Sequence, residues 1–482
     1  MDIEKIRKRR AIKVVITDII MATSVVIISI ILVAVVTGWR INKDFTIEQN
    51  GLVSIRTNPT GVSVIIDDEK QSQTTNMTKM LRGGEHKITL KKDGYDSWEK
   101  TVKITPGWLL RLEYPRLFKQ NRETETIETL NGLKFFHVSP DHSTALYTTN
   151  DSTKWQVMTN FNSTPKTEEV DLTDIFSDTR NGNFPYSIKS IKWSRDNERV
   201  LLNVTNGKTD EWGIIDLKNS KNSFNLSTIY NQKISVAEFE GGSNNRIIMI
   251  LGGKLVRSDL SSKTLIEPSI ENVSSFFSNG SEIIYLSRDS SNIETLWLTK
   301  FGSERATKIV ELKNGDSTTF ALTHFNDSNY LAYTLNNHLY VYQNSTYPTE
   351  EDDITNMKLI VDSDIEISPS EVFVSNNNEF IIFKDNQKIV LFDTELEIYH
   401  TYDYGSNKVK FLDGSILYRV DNESKSFIAF DFDNTNTRTI LNDHAADGFD
   451  ALISNNNRYF YYVGTFETAS SKNELRLVRE KL

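Results

Sequence analysis

Two places in this 482-residue sequence carry side chains with the types and spacing of metal ligands. His137 and His142 lie close enough in sequence to offer paired imidazoles, as a zinc site requires. Asp431 and Asp433 begin an Asp-x-Asp-x-Thr-x-Thr run that has the oxygen spacing of the start of a calcium loop, without its Gly or its distal Glu. The alternatives are a strand His beside a turn His, and the solvated end of a strand. No cofactor is therefore predicted, and calcium near Asp431 and Asp433 stays a hypothesis.

Acid–base catalysis is the second chemistry to consider. Glycoside hydrolysis needs two carboxylates that converge in space, and the 65 acidic residues do not allow a pair to be selected. The acidic run at 350–353 is predicted to be a solvated loop. The sequence has no Gly-x-Ser-x-Gly elbow, Walker loop, His-Glu-x-x-His or Gly-x-Gly-x-x-Gly. It also has no cysteine, which excludes disulfides, thiolate metal sites and cysteine nucleophiles.

Composition and charge limit the class of protein. The hydrophobic content of 38% is enough for sizeable cores, so the chain is not disordered. The formal net charge is −10; residues 1–50 carry +3 and residues 51–114 carry +2, which leaves −15 for the rest. Such an acidic region should repel nucleic acid, and no nucleic-acid partner is predicted. Asn and Asp are abundant and are expected to fill turns that Gly would otherwise occupy.

One segment is long and apolar enough to cross a membrane. Residues 19–39 contain no charged side chain, and a helix needs about 20 apolar residues to span a bilayer. Six Lys or Arg precede this segment and three follow it within an equal window, which predicts a cytoplasmic N-terminus and an extracytoplasmic remainder. The expected location is the plasma membrane, with a single uncleaved signal anchor. A cleaved signal peptide is the alternative.

The segment 51–114 alternates apolar and polar residues over short runs, which predicts half-buried antiparallel strands. Its ordered motifs are Asn-Pro-Thr-Gly-Val at 58–62, Arg-Gly-Gly-Glu-His at 82–86 and Lys-Asp-Gly-Tyr at 92–95. This series resembles the signature of PEGA domains, small β-sandwich modules of bacterial and archaeal surface proteins. The motif positions are Pro59, Gly61, Gly84, Gly94 and Tyr95. The resemblance implies an extracytoplasmic spacer or binding module rather than an enzyme, and the lack of disulfides fits a bacterial envelope.

Three aromatic residues of this segment have two interpretations. Tyr95, Trp98 and Trp108 could form a platform on which a glycan stacks, or they could fill the core of a small domain or its interface.

The remaining residues contain a repeat of about 45 residues. Each unit has an apolar alternating strand, a polar turn, a second strand and a third strand. The first strands begin near residues 135, 191, 236, 273, 320, 371, 409 and 450. A period near 40–45 residues with four strands per unit is typical of a β-propeller. Eight blades are predicted, with seven as the alternative.

Ring closure is predicted from residues 124–130, which precede the first unit and can supply the fourth strand of the last one. Ser-Pro-Asp-His at 139–142 resembles the Ser-Pro-Asp-Gly turn of TolB-like propeller repeats, whereas the Gly-His and Trp-Asp pattern of WD repeats is missing. The turn at 194–197 is a looser copy. Replacing Asp196 there by alanine is expected to cost little stability, whereas Trp193→Ala is expected to cost about 3–5 kcal/mol because Trp193 should pack between blades.

The predicted fold is therefore an all-β ectodomain, a PEGA-like β-sandwich followed by a β-propeller, behind one transmembrane helix. The boundaries place a cytoplasmic segment at 1–18, the helix at 19–39, a linker at 40–50, the sandwich at 51–114, a linker at 115–123 and the propeller at 124–482. The first functional hypothesis is a non-enzymatic envelope protein that binds a protein or glycan through the propeller. The alternatives are a propeller-type glycosidase or lyase acting on polysaccharide, and a transmembrane sensor.

Overall fold

The computed structural model describes residues 3–36, 38–41, 47–179, 183–241, 243–303, 305–348, 354–405, 408–442, 444–467 and 474–482. The acidic run predicted as a loop at 350–353 lies outside these residues. The chain divides into two compact units, Met1–Asn121 and Arg122–Leu482.

The first unit begins with helix α1 (Ile3–Val36). Within it, Lys13–Val35 is a candidate membrane span by length and composition. The predicted span of 19–39 is wrong at its end, because Trp39 lies in a strand and not in the helix. Gly38 has φ of 88° and its N–H donates to the carbonyl of Val35 at 3.2 Å, a glycine-terminated helix end.

Two four-stranded sheets follow in the first unit. One has the order β1-β2-β5, with β8 parallel to β2, and the other has the order β4-β3-β6-β7. Their bounds are β1 (Trp39–Ile41), β2 (Ile47–Ile55), β3 (Ser63–Ile66), β4 (Glu69–Thr74), β5 (Met77–Arg82), β6 (Gly84–Lys91), β7 (Trp98–Ile104) and β8 (Leu109–Leu112). Alternate residues of both sheets fill a shared apolar core that includes Val53, Ile88 and Trp98.

Neither predicted linker of this unit is a free spacer. Within 40–50, residues up to 41 and from 47 onward are strands of the first sheet. Within 115–123, Leu117 and Phe118 are buried. Leu117 explains the difference at the second linker, because its side chain belongs to the core of the small domain.

The second unit contains, in its described residues, eight four-stranded antiparallel sheets, numbered here in chain order. Sheet 1 consists of β10 (Leu133–Val138), β11 (Thr144–Thr149), β12 (Lys154–Thr159) and β13 (Lys166–Asp171), and sheet 2 consists of β14 (Ser187–Trp193), β15 (Arg199–Thr205), β16 (Asp210–Asp216) and β17 (Phe224–Asn225). Sheet 3 consists of β18 (Ile234–Phe239), β19 (Arg246–Leu251), β20 (Lys254–Asp259) and β21 (Thr264–Ile270), and sheet 4 consists of β22 (Val273–Asn279), β23 (Glu282–Arg288), β24 (Glu294–Lys300) and β25 (Thr307–Leu312).

Sheets 5 to 8 continue the series. Sheet 5 consists of β26 (Phe320–Phe325), β27 (Ser328–Leu335), β28 (His338–Asn344) and β29 (Lys358–Asp364), and sheet 6 consists of β30 (Glu371–Val374), β31 (Phe380–Lys384), β32 (Lys388–Asp393) and β33 (Ile398–Asp403). Sheet 7 consists of β34 (Lys410–Phe411), β35 (Ile416–Asp421), β36 (Ser426–Asp431) and β37 (Arg438–Leu441), and sheet 8 consists of β38 (Leu452–Ile453), β39 (Tyr459–Phe466), β40 (Glu474–Lys481) and β9 (Thr124–Thr129). A short helix, α2 (Leu226–Tyr230), follows β17 and has no counterpart in the predicted repeat.

Neighbouring sheets pack face to face through apolar side chains, as the blades of a propeller do. Separate core clusters join sheets 1 and 2, 2 and 3, 3 and 4, 4 and 5, and 5 and 6. Ring pairs such as Phe380 with Phe432 and Phe427 with Phe460 join sheets 6 to 7 and 7 to 8. The second unit is a β-propeller; the number of blades stays a prediction, and the eight sheets support the larger number.

The ring closes where the sequence predicts. Strand β9 pairs with β40, so that a segment preceding sheet 1 completes sheet 8, which confirms the closure predicted from residues 124–130. A core cluster containing Leu130, Phe136 and Leu477 seals sheet 8 against sheet 1.

The turn between the first two strands has the same construction in sheets 1, 2, 6 and 8. A buried serine donates to a side-chain oxygen two residues later and accepts from the backbone N–H five residues later; these serines are Ser139, Ser194, Ser375 and Ser454. The residue after the acceptor has a positive φ in each turn. Among the described residues, 15 of the 19 non-glycine residues with positive φ are Asn or Asp, which confirms the expected use of these residues in turns.

The turn at 194–197 corrects two expectations. Asp196 is part of the turn's framework, because its Oδ1 accepts from the Ser194 hydroxyl at 2.6 Å and from the Glu198 N–H at 3.1 Å. Trp193 is only half-buried, although it does lie between sheets 1 and 2, where it stacks on His137. The cost of Trp193→Ala should therefore fall below the 3–5 kcal/mol of a fully buried aromatic residue.

Candidate functional site

Charged side chains gather on the first strands of consecutive sheets, where those strands come together. We define the charged arc as Lys410, Asp450, His137, Lys192 and Glu238, which belong to sheets 7, 8, 1, 2 and 3; Asp450 lies two residues before the start of β38. Two ion pairs between neighbouring sheets link Lys410 to Asp450 at 2.5 Å and Lys192 to Glu238 at 3.4 Å, and Nδ1 of His137 lies 2.8 Å from Oδ2 of Asp450. The ring of His137 stacks on Trp193, the residue after Lys192.

Asp450 is the most buried member of the arc, with 14% of its side chain exposed. Its Oδ2 also accepts from the backbone N–H of Val138 at 3.0 Å, and its own N–H donates to the carbonyl of Phe136 at 3.0 Å. Burial raises the pKa of Asp450, but the hydrogen bond from His137 and the charge of Lys410 outweigh it and hold that pKa well below its ordinary value. The carboxylate is thus ionised and fixed between two sheets.

The other end of the arc is a second network between sheets. Glu238 accepts from Lys192 of sheet 2 and from the hydroxyl of Ser278 of sheet 4, the latter at 2.6 Å. The arc side chains of His137, Lys192 and Lys410 remain about one-third exposed. They are therefore available to a ligand or partner while their positions are held by the acids.

The charged arc was missed by the sequence reasoning, yet the repeat contains a signal for it. His137, Lys192, Glu238 and Lys410 each stand two residues before the first residue of the turn that follows the first strand. A titratable residue at the same position of four apolar strands is a pattern that alignment of the repeats could have found. Asp450 carries no such signal, because it lies in an irregular segment.

The residues of both candidate metal sites have other partners in the structure. His137 bonds to Asp450, and Nδ1 of His142 lies 3.1 Å from the carbonyl oxygen of Ile453, so the two rings are used separately. Asp431 pairs with Arg438 at 3.0 Å, and the hydroxyl of Thr435 donates to Asp433 at 2.6 Å. Within the described ranges, no group of three or more His, Asp or Glu residues could hold a metal ion. Calcium near Asp431 and Asp433 stays a prediction.

A cavity of about 630 Å³ lies between sheets 4 and 5. Charged and aromatic side chains line it, among them Glu282, Lys300, Arg305 and Tyr347. The Tyr347 hydroxyl lies within hydrogen-bonding distance of the carbonyls of Thr323 and Tyr330, which fixes the ring, and burial raises its pKa. The volume falls within the range of small-ligand sites, about 300–1,000 Å³.

In the small domain, the motif glycines supply positive φ angles. Gly61, Gly84 and Gly94 have φ of 69°, 134° and 78°, and Gly94 completes a turn in which the N–H of Tyr95 donates to the carbonyl of Lys92. Pro59 lies before β3, and its carbonyl accepts from the hydroxyl of Thr57. These positions are distributed over the domain and do not form one pocket.

The histidine of the second motif has a structural partner. His86 Nδ1 lies 2.6 Å from Oδ2 of Asp67, in the two-residue turn between β3 and β4. Asp67 and Asp68 both have positive φ, 49° and 65°, as a type I′ hairpin turn requires. The hydrogen bond with His86, together with the one from the Lys87 N–H, lowers the pKa of Asp67.

The three aromatic residues of the small domain do not form a platform. Trp98 is fully buried, Tyr95 is half-buried against the same core, and 73% of the Trp108 surface is exposed. The core interpretation is thus right for Trp98, whereas Trp108 lies outside the core and its placement at an interface stays a prediction.

With this geometry established, comparison with known proteins identifies the small domain. The family model described as PEGA domain matches residues 50–115. The chain contains a PEGA domain. The match includes the three glycine-bearing motifs, and the PEGA domain extends in the structure to β1, which precedes the matched residues. None of the curated protein sequences is similar to this chain.

Solved structures similar to the chain include a WD40 domain and a β-propeller domain. The C-terminal WD40 domain of Sif2 has 11% identity and a TM-score of 0.43, over 74% of this chain and 97% of that one. Apo AztD from Citrobacter koseri has 11% identity and a TM-score of 0.39, over 80% and 94%. The β-propeller domain of Cps50 (Swd1) from Myceliophteria thermophila has 10% identity and a TM-score of 0.37, over 74% and 98%. Similarity at this level concerns the fold alone, so function is argued from the site.

Proposed function

We propose that this protein is a membrane-anchored scaffold whose propeller binds an extracytoplasmic protein or glycan and whose PEGA domain connects the anchor to the propeller. The candidate span in α1, the PEGA domain and the propeller support this order of parts. The basic residues before the span favour a cytoplasmic N-terminus at the plasma membrane, with the two domains outside.

One observation favours binding over catalysis: both carboxylates of the charged arc are ion-paired. A general acid needs a raised pKa so that it holds its proton near neutral pH. The pKa of Asp450 is instead lowered by His137 and Lys410. A fixed negative charge between the partly exposed side chains of Lys410 and His137 is suited to hold both side chains toward a partner.

The alternative of a glycosidase or lyase remains a prediction with a direct test. An enzyme that uses the arc should release reducing sugar from polysaccharide, and Glu238→Gln should abolish that release. The scaffold proposal expects no release by either protein.

Photo-cross-linking tests the binding proposal. A benzoylphenylalanine placed at Lys192 of the full chain in native membranes should form one discrete adduct with a protein or glycan. The matched control is the same probe at Lys166, an exposed residue of the outer strand β13. Combining the probe with Asp450→Asn should weaken the adduct, because Asp450 holds His137, whose ring stacks on Trp193 next to the probe.

Equal adducts at Lys192 and Lys166, or an adduct that Asp450→Asn leaves unchanged, would argue against the arc as the binding surface.

A further inference from the structure

Trp108 is the most exposed large hydrophobic side chain of the described PEGA-domain residues. It lies in the turn that follows β7, at 105–108. Such a residue costs free energy in water, since a tryptophan is among the largest apolar surfaces a protein can bury. Its exposure leaves this apolar surface available to a partner outside the domain.

Two backbone hydrogen bonds tie this turn to the end of α1. The N–H of Gly107 donates to the carbonyl of Asn50 at 3.0 Å, and the N–H of Asn50 donates to the carbonyl of Gly38 at 2.9 Å. Gly38 is two residues beyond Val36, where α1 ends. A Cβ on Gly38 would approach the Asn50 carbonyl oxygen to 2.6 Å, which shows how closely the segments pass.

Apolar side chains continue from Trp108 across the outer face of the first sheet. Leu52 is the register partner of both Leu109 and Met80, so the three side chains form one row over β5, β2 and β8. Leu52 and Leu109 are 37% and 39% exposed, whereas the next residue of β2, Val53, points into the core. Arg111 follows on the same face, opposite Ser54.

We propose that Trp108, Leu109 and Leu52 insert into the headgroup–acyl boundary of the bilayer that α1 crosses, so that the PEGA domain lies on the membrane surface. This inference rests on the membrane anchor of the proposed function. Leu52 is two strand residues beyond Asn50, about 7 Å along β2.

The interfacial layer on each side of the hydrocarbon core is about 5–8 Å thick. A patch this close to the end of the span reaches that layer without any change of fold. Tryptophan and basic side chains are the residues that interfaces favour.

The lack of cysteine permits a clean depth measurement on the full chain in lipid nanodiscs. Single Trp108→Cys and Leu109→Cys variants carry an environment-sensitive fluorophore. The matched control is Asp93→Cys, in the exposed turn at the opposite end of β7 from Trp108. Ile28→Cys in α1 reports whether the helix is in the bilayer. The quenchers are aqueous iodide and a lipid with a nitroxide at acyl carbon 5.

We expect labels at 108 and 109 to lose fluorescence to the lipid nitroxide and to be shielded from iodide, with the reverse at 93. Quenching by iodide at 108 equal to that at 93, while the label at 28 is in lipid, would overturn the proposal and leave the anchor intact. Shielding at 108 from both quenchers would also overturn it, since protein would then cover the patch. A label at 28 open to iodide would refute the anchor itself and this inference with it.

Discussion

At the residue scale, the single substitution Asp450→Asn tests whether the charged arc stabilises the propeller. The Asp450 carboxylate contacts His137 and Lys410 and accepts a hydrogen bond from the Val138 N–H. Asp450→Asn keeps the shape of this side chain but removes its negative charge. We expect a loss of about 2 kcal/mol in the free energy of unfolding at neutral pH, because hydrogen bonds between charged groups contribute about 1.5–3 kcal/mol.

The same substitution has a pH signature. Because the pKa of Asp450 is lowered in the folded state, its stabilisation is complete above its unfolded pKa of about 3.9 and disappears as the pH falls through the folded value. The difference in the free energy of unfolding between the parent and Asp450→Asn should therefore become smaller below about pH 4. Urea unfolding of the full chain in micelles, followed by tryptophan fluorescence, measures it, with the exposed Asp93→Asn as control. A difference that stays constant with pH would contradict the ion-pair account.

At the scale of the element, the serine turns explain how first and second strands are joined. Ser194 is 1% exposed; its hydroxyl donates to Asp196 and accepts from the Arg199 N–H. Ser194→Ala should cost about 2 kcal/mol, two hydrogen bonds of about 1 kcal/mol each. Arg195→Ala, one position away on the exposed side of the turn, should be nearly neutral.

Asp196→Ala should fall between these two, at about 1–2 kcal/mol, since the framework loses its acceptor. Thermal unfolding of the three variants ranks their losses of stability. An Asp196→Ala protein as stable as Arg195→Ala would restore the simpler view that the turn is only a solvated loop.

At the scale of the whole molecule, the stability of the ring depends on its closure. Next to the β9–β40 pairing, Arg122 and Glu480 form an ion pair at 2.5 Å, with 12% and 4% of their side chains exposed. Removing one partner of a buried pair leaves the other charge unpaired, so Arg122→Met should cost about 3–5 kcal/mol.

The double variant Arg122→Met, Glu480→Met should recover most of that loss, because two apolar side chains replace the pair. Lys481→Met, which breaks the exposed pair with Glu123, should cost less than about 1 kcal/mol. The measurement is a double-mutant cycle of unfolding free energies for the parent, Arg122→Met, Glu480→Met and the double variant, with Lys481→Met measured beside it. Equal costs for Arg122→Met and Lys481→Met would show that closure does not depend on the buried pair.

The sequence by itself determined the architecture, because architecture follows from local periodicity. The apolar run of α1, the PEGA motifs and the 45-residue repeat are patterns of neighbouring residues, and the first strands of the sheets lie within a few residues of their predicted starts. Closure by residues 124–130 was predictable for the same reason, since one strand was missing from the last repeat.

Only the tertiary structure decided the candidate sites. Asp450 meets His137 across more than 300 residues of chain, and Trp108 meets the end of α1 through Asn50. Such contacts are set by which strands the fold brings together, and no local pattern encodes them. The His137/His142 spacing shows the same limit: five residues apart along a strand and its turn, the two rings contact Asp450 and the Ile453 carbonyl rather than each other.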